Sequence, residues 1–338
     1  MTAPWLLSPW VEANRSQIGF ALQVFPIDTK TDPARHLLAA GQLADSLGFD
    51  AFFLGDHPAW ALECWVHMAA LAVKTTRIRL GIAVSAIPFR QPVMTARLAA
   101  DLDNLSHGRL ILGLGIGWDG NEFANLGLPF RPASERQAGL EEAITIIRGV
   151  WGSEPFTYHG RYYQTTNAQI TPPPVQRPGP PIMIGGGGER VTLRQVAEYA
   201  DACNLPAFGS GFINGAATVA AVRQKLAALR RHCEAVGRPF DTVLRTLSIG
   251  WLILAEDDAG VQAKLQHYFP EGLEKRYSGA WRDFVMAGTP DDIVAQYQAL
   301  ADAGIQYFIV ETLDAADEET MRLLAERVVP HVKPGTAM

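Results

Sequence analysis

The sequence has few cysteines, no long apolar run and no basic run, and each absence narrows its possible functions. The cysteines are an odd number at wide spacing, which fits neither a disulfide framework nor a zinc site; they are Cys64, Cys203 and Cys233. No uninterrupted apolar stretch reaches the roughly 20 residues of a transmembrane helix. No basic cluster is interleaved with aromatic residues, so nucleic acid is not an expected partner. Met1–Trp10 is broken by prolines and lacks a basic region, so we expect a cytoplasmic protein.

What the chain does have is enough apolar side chains for a large core. Hydrophobic residues make up 48% and charged residues 19% of the 338 positions, which argues against disorder. The net charge of −6 comes from 29 basic and 35 acidic side chains. No stretch is long or polar enough to be a linker between domains. We therefore predict a single domain over residues 1–338.

Eight short apolar runs alternate with helix-like segments along the chain. Runs that are apolar on both faces are typical of parallel strands covered by helices. The first four begin at intervals of about 30 residues, close to the length of a β-α-β unit. These features predict an α/β fold with an all-parallel sheet of eight strands. The predicted strands are Ile18–Val24, Phe49–Leu54, Ile78–Val84, Leu110–Leu114, Pro181–Ile184, Ala202–Leu205, Leu244–Leu254 and Tyr307–Val310.

Several helix starts carry recognisable capping residues. Asp32 and Pro33 supply a cap and a proline at the first helical position. Ser134 and Gln137 have the spacing of a capping box. Thr289–Asp292 combines a cap, a proline and acids in the first turn, which favours a helix start there.

The intervals between the later predicted strands are irregular, which indicates two insertions. Residues 151–181 contain two short aromatic runs followed by proline-rich stretches, which predict a hairpin or a lid. Residues 256–288 are expected to be mostly helical and to join the seventh strand to the last helix pair. Residues 315–325 are expected to form a closing helix.

The fourth strand leads into a glycine-rich loop that allows two interpretations. Its pattern Gly115-x-Gly117-x-x-Gly120 matches a dinucleotide fingerprint. That fingerprint needs a helix starting at its last glycine and an acid at the end of the next strand. We expect the helix only from Ser134, and Glu141, at the right distance, falls inside it. The dinucleotide interpretation is therefore disfavoured, while a loop at an active site and a plain tight turn both stay open.

A second glycine cluster follows the fifth strand and leads directly into a helix. This arrangement lets backbone N–H groups and the helix dipole approach an anion. Arg190 and Arg194, one turn apart, would add charge-assisted contacts. The alternative is a flexible turn without a ligand. The glycines are Gly185, Gly186, Gly187 and Gly188.

The third constellation is Asp56-His57, directly after the second strand. A histidine beside a carboxylate at the end of a barrel strand is suited to proton transfer or to hydrogen bonding at a reacting centre. The alternative is a structural histidine bonded to a neighbouring carbonyl group. No second histidine lies at metal-ligand spacing, so we expect no metal site. The Gly-x-Ser-x-Gly motif of serine hydrolases is absent.

Taken together, these motifs resemble the bacterial luciferase-like superfamily of flavin and deazaflavin oxidoreductases. The resemblance covers nearly the whole chain, and its motifs occur in the family's order. It implies a (β/α)8 TIM barrel with insertions. The motifs are Gly48–His57, Arg109–Trp118 with Asn121–Phe123, Gly185–Arg190 with Tyr199–Asp201, and Gly288–Asp292 before Ala303-Gly304.

The resemblance implies a three-ring redox cofactor in the barrel mouth. Its phosphate would lie at the second glycine cluster, and Asp56 and His57 would lie near the reacting ring. A bulge at Ser85-Ala86-Ile87, in the family often with a non-prolyl cis peptide, would support the back of the ring. The residues that we assign to the cofactor are Ser85, Ala86, Gly115, Gly117, Gly185, Gly186, Gly187, Gly188, Glu189 and Arg190.

One position departs from the family's pattern. The sugar-phosphate dehydrogenases of the deazaflavin branch have a catalytic glutamate just after the glycines of the fourth strand, where this chain has Trp118. Asp119 and Glu122 are near but not equivalent, and we add Glu122 to the catalytic candidates His57 and Asp56. We therefore do not assume the same substrate and acid–base pair.

The resemblance implies hydride transfer between coenzyme F420 and a small organic substrate. An FMN-dependent monooxygenase on the same fold and a non-catalytic ligand-binding barrel are the alternatives. The helices predicted at Leu62–Lys74 and Val93–Leu105 are unusually apolar for outer barrel helices. Because large apolar patches usually mark partners, we expect a homodimer.

Overall fold

The computed structural model describes residues 5–24, 32–206, 218–272 and 285–335. Eight parallel strands close on one another in the order β1-β2-β3-β4-β7-β8-β9-β11, and β11 pairs with β1 again. A separate antiparallel hairpin is formed by β5 and β6. The strands are β1 (Gly19–Val24), β2 (Ala51–Leu54), β3 (Arg79–Ala86), β4 (Leu110–Gly115), β5 (Phe156–His159), β6 (Gln164–Ala168), β7 (Ile182–Gly185), β8 (Ala202–Pro206), β9 (Leu244–Leu254), β10 (Val285–Gly288) and β11 (Tyr307–Thr312).

Helices connect the strands and cover the outside of the barrel. Pro33 and the Asp32 side chain, which accepts from the N–H of Arg35, begin the second helix. Gly48, with φ of +84°, ends it in the left-handed region that favours glycine. The helices are α1 (Pro9–Asn14), α2 (Pro33–Leu47), α3 (Cys64–Lys74), α4 (Pro92–Leu105), α5 (Gly120–Asn125), α6 (Ala133–Val150), α7 (Thr192–Tyr199), α8 (Val219–Ala235), α9 (Asp258–Tyr268), α10 (Pro290–Asp302) and α11 (Glu318–Leu323).

Alternation along each strand divides the core into two parts. One set of side chains packs outward against the helices, as Leu22 and Phe308 do. The other set fills the barrel. The barrel-filling strand residues are Ala21, Ala51, Phe53, Ile111, Met183, Ala202, Leu244, Tyr307 and Ile309.

The short helix α1 closes the barrel at the amino-terminal ends of its strands. Trp10 is fully buried against the ring of Tyr307, with the two ring centroids 5.3 Å apart. The indole Nε1 of Trp10 and the hydroxyl of Tyr307 both donate to the carboxylate of Asp50, at 3.3 and 2.5 Å. The opposite end, where the strands terminate, is where a barrel of this kind carries its functional loops.

The structure confirms the predicted eight-stranded parallel barrel and the hairpin within residues 151–181. The helix predicted from Ser134 starts at Ala133, and Ser134 does not cap it, because Pro132 is its cap residue. The Gln137 side chain instead donates to Thr192. A helix does begin at Gly120, contrary to our expectation, but it has only six residues.

The second insertion and the closing helix differ from the prediction in detail. Asp258–Tyr268 is helical as expected, whereas Val285–Gly288 is a strand that pairs in parallel with the last residues of β9. The closing helix begins at Glu318, later than predicted, and continues as a π-helical turn over Leu324–Val328. Part of the predicted insertion, 273–284, lies outside the described residues. In the described ranges, no helix combines the length and apolar character needed to cross a membrane.

Candidate active site

Two glycines let Val84 pack closely on one side of the barrel mouth. Gly115 and Gly185 end β4 and β7. A Cβ atom at either position would lie 2.5 or 2.8 Å from a methyl group of Val84. These strand ends therefore accept no larger side chain beside Val84. Gly117, with φ of +71°, continues the mouth into the loop after β4.

The irregularity in β3 lies earlier than the resemblance implied. The register between β3 and β4 shifts between Ile82 and Ser85, and the peptide bond between Ala83 and Val84 is cis and non-prolyl. Ser85 donates its hydroxyl to Asp56 at 3.0 Å, and the N–H of Ala86 donates to the same carboxylate at 3.1 Å. The residue that faces the glycines of the mouth is thus Val84. The assignment of Ser85 and Ala86 to the cofactor stays a prediction.

Asp56 lies in a buried ion cluster beside the mouth. Its carboxylate is 2% exposed and accepts two hydrogen bonds from Arg90, at 2.5 and 2.9 Å. Arg90 also bonds Glu63 at 2.9 Å. Cys64 donates its thiol to Asp56 at 3.5 Å, and burial, with the charges of Asp56 and Glu63, raises the pKa of that thiol.

Side chains and backbone of the protein surround the carboxylate of Asp56. Ligand atoms of Asp56, Glu63 and Cys64 lie within 4.8 Å of one another, and both acids already form ion pairs with the guanidinium of Arg90. The carboxylate of Asp56 is bound by a guanidinium, a hydroxyl and an N–H group. The proton-transfer role assigned to Asp56 and His57 from the sequence stays a prediction.

His57 is paired with Glu122, which lies in α5. The Nδ1 atom of His57 is 2.8 Å from Oε2 of Glu122, and the N–H of Ala59 lies 3.4 Å from the other oxygen. Glu122 is 2% exposed, and Asp119 caps the helix that carries it. A carboxylate at Nδ1 requires hydrogen on that nitrogen, so the pair fixes the ring and leaves Nε2 for other partners.

Two tryptophans flank the imidazole of His57. Trp60 stacks on it with centroids 4.2 Å apart, and Trp118 meets it edge-on at 5.9 Å. Both indoles are about half exposed, at 51% and 45%. Trp118, the residue that departs from the family's pattern, therefore forms a wall beside His57 and supplies no acid.

The second glycine cluster connects β7 to α7. Gly186 has φ of +129°, and its N–H donates to the carbonyl of Asn204 on β8. A Cβ atom at Gly188 would lie 2.9 Å from the hydroxyl of Thr192, the first residue of α7. Gly187 is buried, and its carbonyl accepts from Lys225. The glycines thus present a tight backbone turn at a helix start.

The charged side chains after this glycine cluster have partners that we did not predict. Arg194 forms ion pairs with Glu141 and Glu198, both at 2.5 Å, so it is not available to an anion as we expected. The side chain of Glu189 accepts from Gln224 on α8, whereas Arg190 is exposed.

Two polar side chains at the mouth were missed by the sequence analysis. Gln23 and Glu311 are register partners on β1 and β11, and both are 3% exposed. A buried oxygen of each, Oε1 of Gln23 and Oε2 of Glu311, has no hydrogen-bond partner in the described parts of the chain. Burial raises the pKa of Glu311 to about 8. Their position near the ends of otherwise apolar strands was the available signal.

A family model described as Luciferase-like monooxygenase matches residues 17–307. An F420-dependent glucose-6-phosphate dehydrogenase of Microbacterium testaceum is 29% identical over 88% of this chain and 93% of its own. The coenzyme F420 dependent tetrahydromethanopterin reductase of Methanopyrus kandleri has a similar structure, with a TM-score of 0.77, 20% identity and coverage of 94% of this chain and 100% of that one. Monooxygenase RslO1 of Streptomyces bottropensis gives a TM-score of 0.76 at 23% identity, covering 93% and 99%.

Proposed function

The chain belongs to the luciferase-like monooxygenase family, and on that premise we propose that it is an F420-dependent oxidoreductase. The reaction is hydride transfer between coenzyme F420 and a small organic substrate. The relative from Microbacterium testaceum, which bears an F420-dependent activity in its name and aligns along most of both chains, supports this choice of cofactor. The observation that carries the proposal is the His57–Glu122 pair at the mouth of the barrel.

The residues at the mouth fit a flat ring system. Gly115 and Gly185 let the side chain of Val84 pack closely against the ends of β4 and β7. The buried oxygens of Gln23 and Glu311 supply hydrogen-bonding capacity that the described residues do not use. A concave site with few, well-placed polar groups is typical of cofactor pockets.

The cofactor's phosphate would be held at Gly185–Gly188 and the start of α7. Backbone N–H groups at a helix start favour a negative charge, and glycines let that charge approach closely. We retain Glu189 and Arg190 as residues at the edge of this site, with Arg190 exposed to solvent.

Coenzyme F420, when bound, supplies the hydride chemistry, and the chain's own residues hold the substrate and move the proton. His57 would hold a proton at Nε2 for the oxygen atom of the substrate, or receive one from it, according to the direction of the reaction. Glu122 fixes the tautomer through Nδ1 and stabilises the imidazolium. Trp60 and Trp118 would confine the substrate and exclude water.

An FMN-dependent monooxygenase is the second candidate function. The fold that this chain shares with monooxygenase RslO1 favours it. The same glycine loop would accept the phosphate of FMN, because its backbone donors do not distinguish one phosphate ester from another. The two candidates differ in the ring system and in the need for oxygen, both of which are open to experiment.

We also propose a homodimer in the cytoplasm. Large apolar side chains on α3 and α4 are exposed, including Val66 at 64%, Val73 at 67% and Met94 at 55%. Such a patch on neighbouring outer helices is suited to burial against a second copy. A monomeric mass over a wide concentration range in solution would contradict this proposal.

The experiment that tests the proposed function is a binding titration with F420 and FMN in parallel, followed by fluorescence. We expect tight binding of F420 and much weaker binding of FMN. The reverse order, with substrate-dependent oxygen consumption, would establish the monooxygenase. Binding of neither by a protein with an intact melting transition would favour a non-catalytic barrel.

A further inference from the structure

Helix α8 lies behind the second glycine cluster and contacts one carbonyl group in the cluster and one in the residue after it. The ammonium of Lys225 donates to the carbonyl oxygen of Gly187 at 2.7 Å. Nε2 of His232 lies 2.7 Å from the carbonyl oxygen of Glu189, and because that oxygen only accepts, Nε2 must carry the hydrogen. Lys225 and His232 are about two helical turns apart, so one face of α8 makes both contacts.

These contacts also determine which N–H groups the loop presents on the side that faces away from α8. The carbonyl of Gly187 and the N–H of Gly188 belong to one trans peptide group, so they point in opposite directions. An ammonium bound to the carbonyl therefore orients this N–H away from α8, and it polarises the peptide so that the N–H donates more strongly. The contact of His232 does the same for the N–H of Arg190.

Lys225 is a buried cation that bonds a backbone carbonyl group. Lys225 is 6% exposed, and its Nζ donates to the carbonyl oxygen of Gly187 rather than to a carboxylate. Burial lowers the pKa of Lys225, and the negative charge of Glu189 raises it by a smaller amount. Because a buried charge is costly unless it is compensated, such an ammonium favours an anion on the far side of the peptide it holds.

We propose that Lys225 is the cation of a phosphate subsite and acts through the peptide group of Gly187 and Gly188. The ligand is a phosphate ester, which the N–H groups contact directly, while Lys225 aligns them and supplies the positive charge behind them. Lys225 is thus a positioning residue for the cofactor. The inference rests on the proposed function for the identity of the ester, but not for the presence of an anion site.

The first test compares chromophores with and without a phosphate. Lys225→Met should weaken the binding of F420 roughly 10- to 100-fold, the effect of losing one charge-assisted interaction. Binding of the phosphate-free deazariboflavin chromophore should stay unchanged. Arg223→Met removes the same charge from an exposed position on α8 and should change neither affinity. An equal loss for both chromophores, or no loss for F420, would overturn the proposal.

Lys225→Gln is a second variant that keeps the test valid if Lys225→Met folds poorly. Glutamine retains a donor for the Gly187 carbonyl but carries no charge, so we expect an intermediate loss of F420 affinity. Wild-type affinity in this variant would show that the charge is not used and would overturn the proposal.

The second test does not depend on the cofactor and uses inorganic phosphate with thermal unfolding. Phosphate should raise the melting temperature of the wild type more than that of Lys225→Met. Sulfate should act similarly, because the site binds an anion through its negative charge. Equal shifts in both proteins would overturn the inference. If the wild type binds neither F420 nor FMN but still shows this difference, the proposed function fails and the anion site stands.

Discussion

The two ends of the barrel use polar side chains in opposite ways. At the end closed by α1, the Asp50 carboxylate accepts from both Trp10 and Tyr307. At the other end, Gln23 and Glu311 keep buried oxygens without a partner in the described chain. The closed end resembles a finished core, in which buried polar groups are satisfied. The difference indicates that the open end is shaped for a ligand at some cost in stability, as functional sites often are.

The strongest test of this comparison is His57→Ala at the open end. Losing a positioned acid or base should lower turnover by about 10²–10⁴-fold, and cofactor affinity should change little. The loss leaves the buried carboxylate of Glu122 without its partner, which would itself reduce stability. The double variant H57A/E122Q removes that charge, and its turnover should be as low as that of the single variant. Normal turnover in both would make His57 structural.

Trp10→Ala tests the closed end, where we expect an effect on stability alone. Removing a fully buried indole should lower the free energy of unfolding by about 3–5 kcal/mol, measured by denaturant titration. The Kd for the cofactor should not change at temperatures where the variant is folded. Leu6→Ala, at a position 74% exposed, is the control and should stay within about 0.5 kcal/mol of the wild type. A weakened cofactor affinity in Trp10→Ala would show that the two ends are coupled.

Most of the barrel was predictable from the sequence because its strands are continuous apolar runs separated by capped helices. The strand Val285–Gly288 was missed, since it is only four residues long and has no alternating pattern. It forms by pairing with the last residues of β9, and local sequence does not reveal such a pairing.

The candidate site was predictable only where its residues follow a strand directly. His57 and Gly185–Gly188 meet that condition, because the ends of parallel strands meet at one edge. Its pairings were not predictable, since they join residues far apart in the chain. Arg90 and Lys225 are examples: each has a role only through a partner that the fold brings close.

The last prediction concerns Glu311, whose burial at the open end makes stability depend on pH. Its pKa is raised from about 4.5 to about 8 in the folded protein, so between these values the folded state keeps a proton that the unfolded state has released. The stabilising contribution is complete below pH 4.5 and is lost as pH rises towards 8, at no more than about 1.4 kcal/mol per pH unit.

The variant Glu311→Gln tests this dependence, because its side chain cannot ionise. Its melting temperature should therefore increase relative to the wild type between pH 5 and pH 8. The exposed Glu326→Gln makes the same chemical change away from the barrel and should show no such trend. Parallel melting curves for Glu311→Gln and the wild type would mean that the open end, like the closed one, already satisfies its buried carboxyl group.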